Sequence, residues 1–314
     1  MEAGAREYHS KDFEWEQLRS EIENDPSLSY HLQPPLHSQS SPSQDSLAWN
    51  NFHSTHSSGK FFKERRYLFK EFPELASCSL VLEVGCGNGS TALPILRATE
   101  TARVYACDCS IEALERSKQN VCASHVEGIE SRFHPFYCDF SVTPFPQWLA
   151  CNYCKQFLLQ CRHIPDVCCD TPTDSNVFLK DGQCCIGGVD VVTLIFTLSA
   201  VPFDRMPAAM SECFSVLKPG GLLLFRDYGL YDMTMLRFEP DQKVGNREYK
   251  RTEGTRAYFF SLDCVKNLFK GVGFVELELD YCCIKSVNRR NGKTMRRVWV
   301  HGKFQKPVQD QSMK

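Results

Sequence analysis

The residues with the most chemistry to offer form one short run, Glu83-Val84-Gly85-Cys86-Gly87-Asn88-Gly89. It lies directly after an apolar strand, Leu80–Val84, and directly before a helix near Ser90–Ala98. Glycines let a chain turn tightly and let backbone approach a ligand with no Cβ in the way. Spaced glycines also serve dinucleotide sites, so the turn alone does not select a ligand. Two features do. An acid ends the first strand ahead of the glycines, and the spacing is Gly-x-Gly-x-Gly rather than Gly-x-Gly-x-x-Gly. No pyrophosphate needs to sit at this helix start, which suits an amino-acid cofactor. Asp108 ends the second strand, about 20 residues beyond the turn, where an acid holds ribose hydroxyls. Asp139 ends the third strand, where an adenine amino group is its natural partner. Each aspartate alone reads equally well as a cap or turn residue. Three acids in register at successive strand ends point to S-adenosylmethionine, because ligands of open α/β sheets bind at the carboxyl ends of the strands.

The elements that must position these residues alternate. Strands are expected at Leu80–Val84, Arg103–Cys107, Phe133–Cys138, Val189–Phe196 and Leu222–Phe225. The β-branched run at Val189–Phe196 suits a strand buried on both faces. Helices are expected near Ser90–Ala98, Ser110–Ala123 and Arg205–Leu217, the last stopped by Lys218-Pro219-Gly220-Gly221. Ser261 caps a helix running to about Lys270. Phe274–Val287 and Thr294–Phe304 flank Asn291-Gly292, the signature of a hairpin turn. Phe61–Phe72 fits a helix with a basic outer face. Residues 1–30 read as a short acidic amphipathic start. Residues 31–46, rich in Pro, Ser and Gln, read as a disordered linker, with order beginning near Trp49. The pattern is α/β: a Rossmann-like, mostly parallel sheet with an antiparallel C-terminal hairpin. The expected organisation is an N-terminal segment over 1–47, a catalytic domain over 48–306 and a tail over 307–314.

Composition narrows the class. Hydrophobic residues make up 42% and charged residues 24% of the 314, which are ordinary globular values. No apolar run approaches the roughly 20 residues of a membrane helix. The acidic start (Glu2, Glu7, Asp12, Glu14, Glu16) argues against a secretory or mitochondrial leader. The 17 cysteines are therefore expected as thiols in a cytosolic or nuclear setting. Net charge is only −2, but its distribution is uneven: Tyr281 to Lys306 holds eight Lys/Arg and no acid. A second basic cluster is Lys60, Lys63, Arg65, Arg66 and Lys70. Such clusters suit phosphate contacts, for which Lys63, Arg65, Arg66, Arg289, Arg290, Lys293, Arg296 and Arg297 are the candidates. A solvated charged edge strand is the plainer reading of the second stretch.

Further strings are more restricted: LIFTLSAV (Leu194–Val201), LKPGG (Leu217–Gly221), FRDYGLYD (Phe225–Asp232), MLRF (Met235–Phe238) and GTRAYFF (Gly254–Phe260). With Trp49-Asn50-Asn51-Phe52, Phe61-Phe62-Lys63-Glu64-Arg65 and VNRR…RRVW, they closely resemble the tRNA 3-methylcytidine methyltransferases, over roughly residues 48–306. The resemblance implies a seven-stranded class I methyltransferase sheet. It implies methyl transfer to N3 of a cytidine, usually at position 32 of the anticodon loop of serine, threonine or arginine tRNAs. It implies cofactor contacts at Trp49, Gly87, Asp108, Asp139, Phe140 and Ile195, alongside Gly85 and Gly89 of the turn. At His53 the family usually has Tyr, a departure at a further expected contact. An aminoacyl-tRNA synthetase of the seryl type, or another protein, is the partner to consider. A small-molecule or protein methyltransferase on the same fold, or a non-catalytic adaptor subunit, are the competing readings.

Cytosine N3 is a neutral lone pair at pH 7, so its methylation needs no protein base. A carboxylate beside the product would stabilise the charge gained by the base. Arg226, Asp227 and Tyr228 follow the fifth strand and are the catalytic candidates, against a plain reading as a structural Arg–Asp pair. The target base must be exposed and stacked on an aromatic ring, for which Phe196, Tyr228, Tyr231, Tyr258 and Phe259 are the candidates, one or two of them at most.

Residues 144–186 form an insertion holding Cys151, Cys154, Cys161, His163, Cys168, Cys169, Cys184 and Cys185. Cys151-x-x-Cys154 has zinc-ligand spacing. No second Cys-x-x-Cys follows, and adjacent cysteines are poor chelates. The expectation is no metal, and a partly disordered surface insertion with reduced thiols.

Overall fold

The computed structural model describes residues 11–34, 45–56, 64–159, 183–287, 292 and 294–308. The chain opens with helix α1 (Trp15–Glu23), followed by α2 (Asp45–Thr55) and the short α3 (Leu68–Glu71). The alternating core then runs β1 (Leu80–Val84), α4 (Ala92–Ala98), β2 (Arg103–Asp108), α5 (Ile111–Cys122) and β3 (Phe133–Tyr137). It continues through α6 (Asn152–Leu159), β4 (Val189–Ile195), α7 (Met206–Val216) and β5 (Leu217–Tyr228). Three short strands follow, β6 (Lys243–Gly245), β7 (Glu248–Lys250) and β8 (Arg256–Tyr258), then α8 (Leu262–Val272) and the long strands β9 (Val275–Val287) and β10 (Thr294–Gln305).

The main sheet has seven strands in the order β3-β2-β1-β4-β5-β10-β9. The first five are parallel, and β10 runs antiparallel to both of its neighbours. Chain direction across the sheet reverses between β1 and β4, which opens a crevice at their carboxyl ends. Alternate residues feed two separate cores. Leu82, Val84, Tyr105, Val192, Leu194 and Phe225 pack on one face. Val81, Val104, Ala106, Val191, Ile195 and Leu224 pack on the other. Burial on both faces is why these strands read as unbroken apolar runs.

Several expectations need correction. Order begins well before Trp49: the acidic start forms the amphipathic helix α1, whose Leu18 and Ile22 are buried, and Trp15 stacks on Tyr281 at 4.8 Å. The expected helix over 61–72 is helical only at Leu68–Glu71 among its described residues, since Pro73 cuts it off; residues 61–63 lie outside them. Of the expected linker, His31 belongs to a short 3-10 turn and Asp45 opens α2; 35–44 lie outside the described residues. The Pro-Gly-Gly stop does not separate helix from strand by a loop. β5 starts at once at Leu217, opposite Val189, and its register slips before Leu222 meets Val191. The three-residue strands β6–β8 were not foreseen, because three residues carry too little periodicity to read.

Candidate active site

The glycine turn is built tightly against the loop that follows β4. Gly85 has φ +67°, and a Cβ there would sit 2.3 Å from Thr197 Cγ2. Thr197 Oγ1 in turn donates to Val84 O at 2.9 Å. Asp108, at the end of β2, ties the turn from the other side. Its carboxylate accepts from Gly87 N–H and from Ser110 N–H, both at 2.9 Å. A carboxylate offers about four acceptor sites, so these bonds leave room for a ligand hydroxyl. Burial pushes the Asp108 pKa up to about 6, so the group is ionised at neutral pH. Glu83 is buried behind the turn rather than in the cleft, and burial pushes it up to about 7 against the pull of the Arg65 charge.

Helix α2 forms the opposite wall. Trp49 and His53 face a cleft of about 840 Å³, counted out to open solvent, whose floor is Gly85 to Asn88 and whose far side is Asp139, Phe140 and Ser141. His53 Cε1 would lie 3.8 Å from a Cβ on Gly87, so imidazole and turn face each other closely. Burial brings the His53 pKa down to about 4, which makes the ring neutral. Asp139 Oδ1 accepts from Ser141 N–H at 3.2 Å and Ser141 Oγ–H at 2.7 Å. The surroundings suit a cationic ligand with an adenosine part: acidic groups, a neutral imidazole, apolar walls and a bare backbone cradle.

Seven of the nine expected cofactor residues line this cleft: Trp49, His53, Gly85, Gly87, Asp108, Asp139 and Phe140. Two do not. Gly89 faces α5, where an added Cβ would meet Ser117 Cβ at 3.5 Å, and the Ile195 side chain is buried in the core. Arg65, expected at phosphates, lines the cleft instead and sits over the Phe196 ring at 5.6 Å. Asp45, Ser46, Cys109 and Pro202 also line it and carried no motif that would have flagged them.

Arg226 and Asp227 are not open to a substrate, and they do not pair with each other. Adjacent strand residues point to opposite faces. Arg226 is buried, pairs with Glu71, and packs over Trp299 at 4.5 Å and Tyr67 at 5.1 Å. Asp227 is fully buried and accepts from Ser199 N–H at 2.9 Å and Tyr228 N–H at 2.8 Å. It is a positioning residue for the Thr197–Ser199 loop. Tyr228 is half-buried and packs against Phe196 at 5.3 Å. Phe196, at φ +56°, lines the cleft. Such a conformation is costly for a residue with a side chain and clusters at ligand sites. Of the five candidate stacking rings, Tyr231, Tyr258 and Phe259 are buried, which leaves Phe196 and Tyr228.

Among the basic candidates, Lys63, Arg289, Arg290 and Lys293 lie outside the described residues. Arg66 is exposed and pairs with Glu64 at 3.1 Å. Arg297 pairs with Asp232 at 2.9 Å and Arg296 with Glu21 of α1. Lys303 bridges Glu74 and Glu278, and Lys306 donates to Phe214 O and Leu217 O. A stretch with no acid of its own thus receives acids from elsewhere in the fold.

The sheet order, the glycine cradle and the acids at successive strand ends define a class I S-adenosylmethionine-dependent methyltransferase. A family model described as a methyltransferase domain matches residues 56–279. The tRNA N(3)-cytidine methyltransferase METTL6 of Homo sapiens is 36% identical over 271 residues, which is 84% of this chain and 81% of that one. The chain belongs to the tRNA N(3)-cytidine methyltransferase family. O-methyltransferase 3 of Dictyostelium discoideum is 33% identical over 234 residues, covering 74% of this chain and 45% of that one. A solved S-adenosylmethionine-dependent methyltransferase from Anabaena variabilis superposes with a TM-score of 0.54 at 13% identity, over 87% of this chain and 99% of that one, a likeness of fold.

Proposed function

We propose that this enzyme methylates N3 of a cytidine in tRNA, at position 32 of the anticodon loop of serine, threonine or arginine tRNAs. The observation that carries the reading is Phe196, a half-buried ring that lines the cofactor cleft under the Arg65 guanidinium and is backed by Tyr228. Base recognition needs a flat ring to stack on, and a loop nucleotide can be splayed out to reach it. When bound, S-adenosylmethionine supplies a methyl on a cationic sulfonium. Asp108 would hold its ribose, Asp139 its adenine edge, and the Gly85–Gly87 backbone would cradle its amino-acid part. Cytosine N3 carries no proton at pH 7, so no side chain needs to act as base. Asp227 fixes the loop that holds Phe196 and Thr197 in place.

A cytosolic or nuclear setting goes with this activity, in keeping with the fourteen described cysteines, none of them in a disulfide. Among the described residues no helix is long and apolar enough to cross a membrane. A seryl-type aminoacyl-tRNA synthetase as partner belongs to the same proposal. Purified protein, S-adenosylmethionine and total tRNA test the activity, with mass spectrometry of nucleosides to identify the product and of ribonuclease fragments of each tRNA to locate it. 3-Methylcytidine confined to loop position 32 of those tRNAs is the expected product. Methyl transfer to a small molecule or protein, with no 3-methylcytidine in any tRNA, overturns the reading.

A further inference from the structure

The insertion between β3 and β4 contributes a second cluster of reactive groups, away from the cofactor cleft. Cys151 immediately precedes α6, Cys154 lies in its first turn, and Cys184 and Cys185 lie just ahead of β4. Two backbone bonds hold these arms side by side, Ile186 N–H to Trp148 O at 2.9 Å and Gly188 N–H to Leu149 O at 3.0 Å. All four cysteines are buried, and their Sγ atoms lie within 4.8 Å of one another. The Sγ of Cys184 is 3.5 Å from that of Cys151, 3.6 Å from that of Cys154 and 3.7 Å from that of Cys185.

We propose that Cys151, Cys154, Cys184 and Cys185 bind one zinc ion in a closed tetrathiolate site. A tetrahedron with Zn–S bonds of about 2.3 Å has S···S edges of about 3.8 Å, close to the spacing found. A disulfide would need about 2.0 Å, far shorter than any of these contacts. Backbone donors already point at two of the sulfurs: Cys154 N–H to Cys151 Sγ and Gly187 N–H to Cys185 Sγ, each at 3.4 Å. Such second-layer donors stabilise thiolate ligands, as does the positive end of α6 beside Cys151 and Cys154. The adjacent pair Cys184-Cys185, a weak chelate in sequence terms, is turned toward α6 by the backbone pairing of Ile186 and Gly188. Soft sulfur donors favour zinc over magnesium or calcium. Four of them leave no position for water, so the ion is structural rather than catalytic. It fastens together residues that are 30 apart in the chain, Cys154 and Cys184, at the start of β4. The cofactor cleft lies past the other end of the same strand. Each thiol gives up its proton on ligation, so binding weakens as pH falls.

The test is the metal content of the full chain, expressed with zinc in the medium and purified under reducing conditions without chelator. One zinc per chain is expected by elemental mass spectrometry. The double variant Cys184→Ser/Cys185→Ser should lose it while still binding S-adenosylmethionine. Should that variant fail to fold, the wild type decides: stripped of metal and titrated with cobalt(II), it should show the absorption bands of a tetrahedral cobalt tetrathiolate, displaced by zinc. Cofactor-competent wild-type protein with below about a tenth of a zinc per chain and no such bands overturns the proposal, as does a disulfide within the four found by intact mass.

Discussion

The cofactor cleft and the C-terminal strand pair are both rich in charge, and they use it differently. At the cleft, Asp108 and Asp139 accept a few hydrogen bonds from nearby backbone and Ser141, have no basic partner in an ion pair among the described residues, and line the cavity. Along β10 the charges are matched within the protein: Arg297 to Asp232, Arg296 to Glu21, Lys303 to Glu74 and Glu278, and His301 to Glu71 and Glu278. Charge matched inside the fold supports stability; charge left facing a cleft supports binding. Mutation separates the two, since the first kind should change melting and the second affinity.

The largest effect is expected at Glu71. It is buried and shared by Arg226 and His301. Glu71→Ala leaves the Arg226 guanidinium buried without its carboxylate, a loss of about 3–5 kcal/mol in typical cases. Thermal unfolding should show a large drop in Tm. An unchanged Tm would mean that Arg226 is held in place without its carboxylate partner.

Asp108→Ala is the counterpart at the cleft. Losing a charged acceptor for ligand hydroxyls should cost about 1.5–3 kcal/mol of binding, roughly 10- to 150-fold in S-adenosylmethionine affinity. Calorimetric titration measures it, beside a melting curve that should move less than that of Glu71→Ala. Equal affinity for variant and wild type removes Asp108 from the site.

A pH titration sharpens the same contrast without mutation. Asp108 titrates near 6 because burial disfavours its charged form, and ribose binding uses that charged form. Affinity should therefore be flat from pH 7 to 8 and fall below about pH 6, by at most about tenfold per pH unit for one group. Stability has the opposite sign. The folded pKa of Asp108 lies above the unfolded one, so its contribution to stability is largest at low pH and declines as pH rises from about 4 to about 6. In Asp108→Ala the drop in affinity below pH 6 should vanish.

How much of this was visible in the sequence follows from the range of each interaction. Gly85, Gly87, Asp108 and Asp139 and the Ser261 cap are local patterns and lie where their spacing placed them, whereas Glu83 and Gly89 of the same motif turn away from the cleft. The partners of Arg226, Arg296 and Arg297 come from residues 65 to 275 positions away, so no local window shows them. The same holds for Arg65, whose basic neighbourhood suggested phosphates while the fold turns it into the cleft. The four-cysteine cluster escaped for a related reason: half of it is an adjacent pair whose direction is set by backbone bonds to Trp148 and Leu149.

The smallest expected effect bears directly on RNA. Phosphate contacts made by a protein show in the salt dependence of binding, about 0.7 log units per log unit of salt for each contacted phosphate of single-stranded RNA. Arg296 and Glu21 are each partly exposed, a kind of pair worth at most about 1 kcal/mol of stability. If the pair stays closed in the tRNA complex, Arg296→Ala should leave the salt slope unchanged and lower Tm only slightly. The double variant Arg289→Ala/Arg290→Ala should then weaken tRNA binding and flatten the slope by up to about 1.4. Cofactor affinity should not change in either variant, since these residues are remote in sequence from the glycine turn and Arg296 is not among the cleft residues. Filter binding at several salt concentrations gives all three slopes. A slope flattened by about 0.7 in Arg296→Ala would mean that tRNA competes with Glu21 for this arginine, and the β10 charges would then belong with the binding groups of the cleft. Three coincident slopes would remove the hairpin from the RNA surface and leave the exposed Arg66, beside the cleft residue Arg65, as the next position to test.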